Sequence, residues 1–159
     1  MNIKLNFSDI VDNPQCQILI NNHELYSGSA QPEFYFDVPV DSGATQLRIV
    51  HRDKQPTDTV VVDGKIVRDR SFTLDRVVID NYDIGELIWQ SRFEAAHGDV
   101  YQSCLFFGPN GDFILDFEAP VLRWILSTRH TRNNNDPTWE RDYQYYTQAC
   151  QLLAPISTK

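Results

Sequence analysis

The sequence predicts a mainly β protein: an antiparallel β-sandwich over residues 1–130, then a linker and a C-terminal helix over 131–159. Apolar and polar residues alternate at period two through the first half, as in half-buried strands. Turn signals recur roughly every ten residues, a spacing that suits a sandwich and not a βαβ fold. No internal repeat or low-complexity tract interrupts the chain.

Each element follows from its residues. Ile3, Leu5 and Phe7 face one way and Asn2, Lys4 and Asn6 the other, as in one strand. Cys16 to Ile20 and His23 to Tyr26 flank Asn21-Asn22, a dipeptide that tolerates the positive φ of a tight hairpin. Phe34, Phe36, Val38 and Val40 alternate up to the turn Asp41-Ser42-Gly43, and Thr45 to His51 follows with Leu47 and Ile49 inward. Thr59 to Asp63 and Ile66 to Arg68 flank Asp63-Gly64, a strong hairpin signal. In Ser71 to Asp80, Phe72 and Leu74 alternate but Val77-Val78-Ile79 does not. That phase slip predicts a bulge or a section buried on both faces.

Ile84 to Phe93 fits a short helix and a strand equally. Tyr101 to Phe107 and Asp112 to Phe117 read as a hairpin around Gly108-Pro109-Asn110-Gly111. Pro120, pre-organised for a first helical turn, starts a helix over Val121 to His130, and Thr131 to Asn135 breaks it. Asp136 caps a second helix with Pro137 in its first position and Glu140 in its first turn. Trp139, Tyr143, Tyr146, Cys150 and Leu153 form one apolar stripe along it, and Pro155 ends it.

With 42% hydrophobic and 23% charged residues, a chain of 159 residues can bury a core without metal or disulfide. Fourteen Lys and Arg against 22 Asp and Glu give a net charge of −8 without a basic stripe, so no nucleic-acid partner is expected. No apolar run approaches the ~20 residues of a spanning helix, so no membrane partner is expected either. The N-terminus lacks an apolar signal core, and Cys16, Cys104 and Cys150 match no metal spacing. Both facts suit synthesis in a reducing compartment, with the thiols as small core residues.

The chemical inventory argues against an enzyme. There is no Gly-rich phosphate loop, metalloprotease helix or serine elbow, and His23, His51, His97 and His130 never stand at i, i+4. Cys104 lies inside an apolar strand, where packing is its expected role. A paired-carboxylate hydrolase would need a deep cleft, for which a short strand-filled chain leaves little room. No cofactor is required. Asp53, Asp58 and Asp63 are the candidate ligands of a calcium ion held between separate loops. Their competing role, as turn formers and cross-strand ion pairs, weighs more, because turns select aspartate without any metal. Among the aromatics, most read as core, Trp124 especially. Tyr35 alternates out of phase with Phe34 and Phe36 and reads as surface. Tyr35, Trp139 and Tyr145 are the candidate contacts to a glycan or protein partner.

Leu47 to Asp53 followed by Asp58 to Asp63, a strand, an acidic loop and a strand with an aspartate beside valines, resembles the core of calcium-dependent xylan-binding modules. The chain as a whole resembles small proteins of marine tailed phages over residues 1–130. The shared features are Asp58 to Val61, Asp63-Gly64, Asn110-Gly111 and the Pro120-Val121-Leu122-Arg123-Trp124-Ile125-Leu126 run. The resemblance implies a jelly-roll sandwich of the carbohydrate-binding-module kind, made in the host cytoplasm and carried in the virion.

The function expected first is therefore a non-catalytic virion component (capsid decoration, neck, tail or baseplate). It would contact other virion proteins, a second copy of itself or a polysaccharide, and would dock through Trp139 and Tyr145. A soluble calcium-dependent carbohydrate-binding module is the alternative. An acidic host-takeover protein comes third, since eight net charges are few for a DNA mimic.

Overall fold

The computed structural model describes residues 1–40 and 42–132. The expected helix from Asp136 to Pro155, including Trp139 and Tyr145, lies outside the described residues. Within them the strands are β1 (Asn2–Val11), β2 (Gln15–Ile20), β3 (His23–Ser29), β4 (Glu33–Asp37), β5 (Gly43–Arg52), β6 (Thr59–Val62), β7 (Lys65–Asp69) and β8 (Ser71–Ile79). They continue as β9 (Tyr82–Asp83), β10 (Arg92–Ala95), β11 (Val100–Gln102), β12 (Phe106–Phe107) and β13 (Gly111–Ala119), ahead of helix α1 (Val121–Arg132).

Two antiparallel sheets form the sandwich, as the period-two pattern predicts. One is five-stranded, ordered β12-β8-β1-β4 with β9 also on β8; the other is six-stranded, ordered β11-β10-β13-β5-β2-β3. Among the described residues, β6 and β7 pair only with each other. Alternation sets which side chains meet between the sheets. Ile3, Leu5, Ile18, Leu47, Ile49, Leu74 and Ile79 are fully buried there. The hairpin turns fall where the dipeptides place them, Asn21 and Asn22 at φ 50° and 65°, and Asp63 and Gly64 at φ 50° and 74°.

The phase slip in β8 is a bulge. Asn6 of β1 pairs with Arg76 and Phe7 with Leu74, so Asp75 has no partner and both Phe72-Leu74 and Val77-Ile79 can point inward. The ambiguous segment is both things in turn, a 3-10 helix over Gly85–Gln90 and then β10. The Trp-bearing helix forms as expected, with Val121, Trp124 and Ile125 buried and Trp124 against Phe117 at 6.0 Å.

One expectation is corrected: Tyr101–Phe107 and Asp112–Phe117 are not a hairpin. β11 pairs with β10, β12 crosses to β8 in the opposite sheet, and β13 lies between β10 and β5. The intervening loop is held by other partners. The Asn110 side chain receives a hydrogen bond from Lys54 N and donates one to the Lys54 carbonyl, and Lys54 Nζ donates to the Gly108 carbonyl at 2.6 Å. With β13 already paired on both edges, the preceding segment has no edge left to occupy there.

Aromatic rings join the sheets. Phe72 and Phe107 stack at 4.4 Å, and Phe107 meets Phe93 edge-on at 5.6 Å and Phe113 at 6.1 Å. Truncating a ring in such a core removes its transfer free energy and leaves a cavity. Phe107→Ala should lower stability by about 3–5 kcal/mol in urea unfolding.

His51 is buried beside this cluster, 5.3 Å from Phe72, with Nδ1 3.1 Å from the Pro109 carbonyl and Nε2 without a partner among the described residues. Nδ1 therefore donates the proton, and protonating Nε2 would bury a donor with no acceptor. Burial holds the imidazole below its ordinary value, aided by Lys54 and Arg70 and opposed by the Pro109 carbonyl and Asp69. A depressed histidine binds fewer protons when folded than when unfolded, so stability is lost as pH falls below the ordinary value of about 6.5. Urea unfolding from about pH 7.5 to about pH 5 should show this loss, at most about 1.4 kcal/mol per pH unit for one proton. His51→Gln should flatten that part of the profile.

Candidate functional site

The five-stranded sheet buries one face and exposes the other. Because Ile3, Leu5 and Phe7 point inward, β1 presents Lys4, Asn6 and Ser8 outward. Cross-strand register extends this face. Tyr35 of β4 is opposite Lys4, Lys4 is opposite Val78 of β8, and Val78 is opposite Asp83 of β9. With strands spaced about 4.8 Å apart, the Tyr35 and Asp83 positions are about 14 Å apart on one surface. Tyr35 is 66% exposed, as its alternation predicts.

The far edge of β8 is paired at its ends and open in its middle. β12 holds Phe72 and Thr73, β9 holds Val78 and Ile79, and between them lie the bulged Asp75 and Arg76. A cleft of about 560 Å³ occupies this gap, lined by Asp75, Arg76, Val77, Asp83, Leu105 and the 3-10 helix. In a 3-10 helix, residues three apart share a face. Ile84 and Leu87 take the buried side, which leaves Glu86 and Trp89 together at the cleft. Trp89 is 49% exposed, yet its backbone is fixed: Ser103 Oγ donates to its carbonyl at 2.5 Å. At the other end of the turn, Ile84 N donates to the Val77 carbonyl at 3.2 Å.

Around the ring stand groups suited to hydroxyls. Arg76 Nε donates to Asp83 at 2.6 Å, Gly85 N donates to Asp83 at 2.8 Å, and Ser8 Oγ donates to Asp75 at 2.8 Å. Burial pushes the Asp83 carboxyl up, but the Gly85 N–H and Arg76 outweigh it and hold the group below the ordinary range. Glu86 forms no ion pair among the described residues. Three carboxylates against one guanidinium leave the lining acidic. An exposed indole beside carboxylates with lone pairs to spare and a guanidinium with further N–H groups matches a polyhydroxylated ring, which offers a flat apolar face and a rim of O–H groups.

Tyr35 and this cleft share a face; the three aspartates do not share a site. Asp53, at φ 64°, follows β5 and lines two grooves of about 440 and 430 Å³ that meet at Arg52 and Asp53. Asp58 accepts from Gln55 N at 2.7 Å and pairs with Arg70 at 3.0 Å. Asp63 forms the β6–β7 turn. Among the described residues, no group of three or more His, Cys, Asp or Glu is placed to hold a metal ion. Trp89 is one of several aromatics that the sequence offers as a binding platform, but its composition and spacing favour core packing for most of them and single out Tyr35 as surface. The signal that was present is Glu86 and Trp89 at i, i+3 beside a buried Ile84 and Leu87.

No protein-family model and no curated protein matches the sequence. Among solved structures, the chain is similar to one described as "vCBM60 in complex with galactobiose", at 10% sequence identity and a TM-score of 0.47, over 72% of this chain and 96% of that one. At that identity no residue of the cleft is carried from one chain to the other.

A ligand bound only by the native state raises the melting midpoint. With Asp53, Asp58 and Asp63 apart, replacing millimolar calcium by chelator should leave the midpoint unchanged. A fall on chelation, removed by Asp53→Asn, would show that these carboxylates do gather a cation.

Proposed function

We propose that the chain is a non-catalytic glycan-binding module that takes a neutral polysaccharide across the outer face of its five-stranded sheet. The observation that carries this is Trp89, held open beside Glu86, Asp75 and the Arg76–Asp83 pair in the gap on the β8 edge. Trp89 supplies the stacking platform, and the carboxylates and Arg76 read hydroxyl positions. The acidic lining disfavours uronates and other anionic sugars by like-charge repulsion. Tyr35 gives a second aromatic contact farther along the same face. A virion setting, implied by the resemblance of the sequence, would add protein partners to this role without changing the glycan site.

Affinity electrophoresis in gels cast with neutral polysaccharides, followed by titration calorimetry, tests the reading. Trp89→Ala should cost about 2 kcal/mol or more, roughly thirtyfold in affinity, with the fold intact by circular dichroism. Tyr35→Ala should cost less. Retention of full affinity by Trp89→Ala would remove the cleft from consideration.

A further inference from the structure

The β6–β7 hairpin exposes five aliphatic side chains, Val60, Val61, Val62, Ile66 and Val67, at 39–65%. Val61 is opposite Ile66, while Val60 is opposite Arg68 and Val62 opposite Lys65. Val61 and Ile66 therefore share one face, and Val60 and Val62 the other. Both faces carry uncovered apolar groups. A lone hairpin is marginal in water, and this one is held at its base. Lys54 Nζ meets Asp69 at 2.5 Å, Thr59 Oγ1 donates to Asp69 at 2.6 Å, Arg70 pairs with Asp58, and Arg68 pairs with Asp12.

Its two outer edges differ. β7 has three features that protect strand edges: Lys65, Arg68 and a bulge at Val67, which the register leaves without a partner. β6 has none of them, being Thr59-Val60-Val61-Val62, uncharged and unbulged. An edge of this kind is a template for another strand.

We infer that β6 is a self-association edge, pairing antiparallel with β6 of a second copy about a two-fold axis at Val61. In that register Val61 meets Val61, Val60 meets Val62 and Thr59 meets Asp63, so no like charges are opposed. The strand is self-complementary because its aliphatic run is centred on Val61. A four-stranded sheet β7-β6-β6-β7 results, closed by the two-fold, in which the aliphatic groups of each face join across the axis. Charge also favours a second copy at this place. The chain carries −8, but residues 59–69 balance Asp63 and Asp69 with Lys65 and Arg68, so two acidic copies can meet here without opposing net charge. The contact is small beside the roughly 800 Å² per partner of stable complexes, so the dimer is weak and concentration-dependent.

Sedimentation equilibrium of the full chain from micromolar to millimolar concentration should show monomer and dimer exchanging. Val61→Lys should weaken the dimer at least tenfold, whereas Val67→Lys, an equally exposed change on the bulged strand, should alter it less than twofold. Val61→Cys should cross-link into a disulfide dimer on a non-reducing gel beyond the wild-type background, and Val67→Cys should not. A chain that stays monomeric throughout overturns the inference. So does a dimer that Val61→Lys leaves intact, or a monomer whose β6 edge takes up only an extended peptide of another sequence.

Discussion

Contact between Phe72 and Phe107 is the constraint on which most of the architecture depends. Phe107 belongs to a two-residue strand, too short to hold its place by backbone pairing. It is held because its ring stacks on Phe72 and meets Phe93 and Phe113 of the opposite sheet. Burying a ring of this size contributes roughly 1.5–3 kcal/mol, at least as much as the ~1–3 kcal/mol that two ladder hydrogen bonds offer net. That packing takes the chain out of the six-stranded sheet after β11, through the Gly108–Asn110 loop and back to β13. The loop in turn covers His51 through the Pro109 carbonyl and fixes the turn after β5 through Lys54 and Asn110.

The same crossing creates the cleft. β12 occupies one end of the β8 edge and β9 the other, while the bulge at Asp75 keeps the middle from being paired. A regular β8 would turn either Phe72 and Leu74 or Val77 and Ile79 away from the core. The bulge satisfies both pairs and sends Asp75 and Arg76 outward beside Trp89. Packing and recognition are thus served by one irregularity, which agrees with the frequency of bulges beside functional sites.

At the β6–β7 hairpin, polar contacts do what apolar burial does elsewhere. The β6–β7 hairpin has no core of its own, and Lys54, with both Asp69 and the Gly108 carbonyl as partners, anchors its base to the β12–β13 loop. Lys54 and Asp69 are mostly buried, at 12% and 16% side-chain exposure, so removing either partner would leave a charge with little water to solvate it. Order at the base keeps the valine-rich tip extended while its apolar groups stay uncovered.

Much of the sandwich was legible in the sequence because its signals are local. Period-two alternation identified the inward faces of β1, β2 and β5, and Asn21-Asn22 and Asp63-Gly64 located two hairpins from the φ they tolerate. The broken phase of residues 77–79 announced the bulge, and the out-of-phase Tyr35 announced its exposure. Tertiary structure alone decided which strand pairs with which. Phe106-Phe107 reads as an arm of the β13 hairpin, yet its partner is β8, since sheet order depends on ring packing between residues far apart in sequence. It also decided that Asp53, Asp58 and Asp63, close along the chain, go to a groove, an ion pair and a turn. Trp89 could be listed from sequence among the aromatic candidates but not separated from the core ones, because a six-residue 3-10 helix is too short to show its exposed face by periodicity. Its place at the cleft depends on Ile84 and Leu87 being buried beneath it, which only the assembled core could bring about.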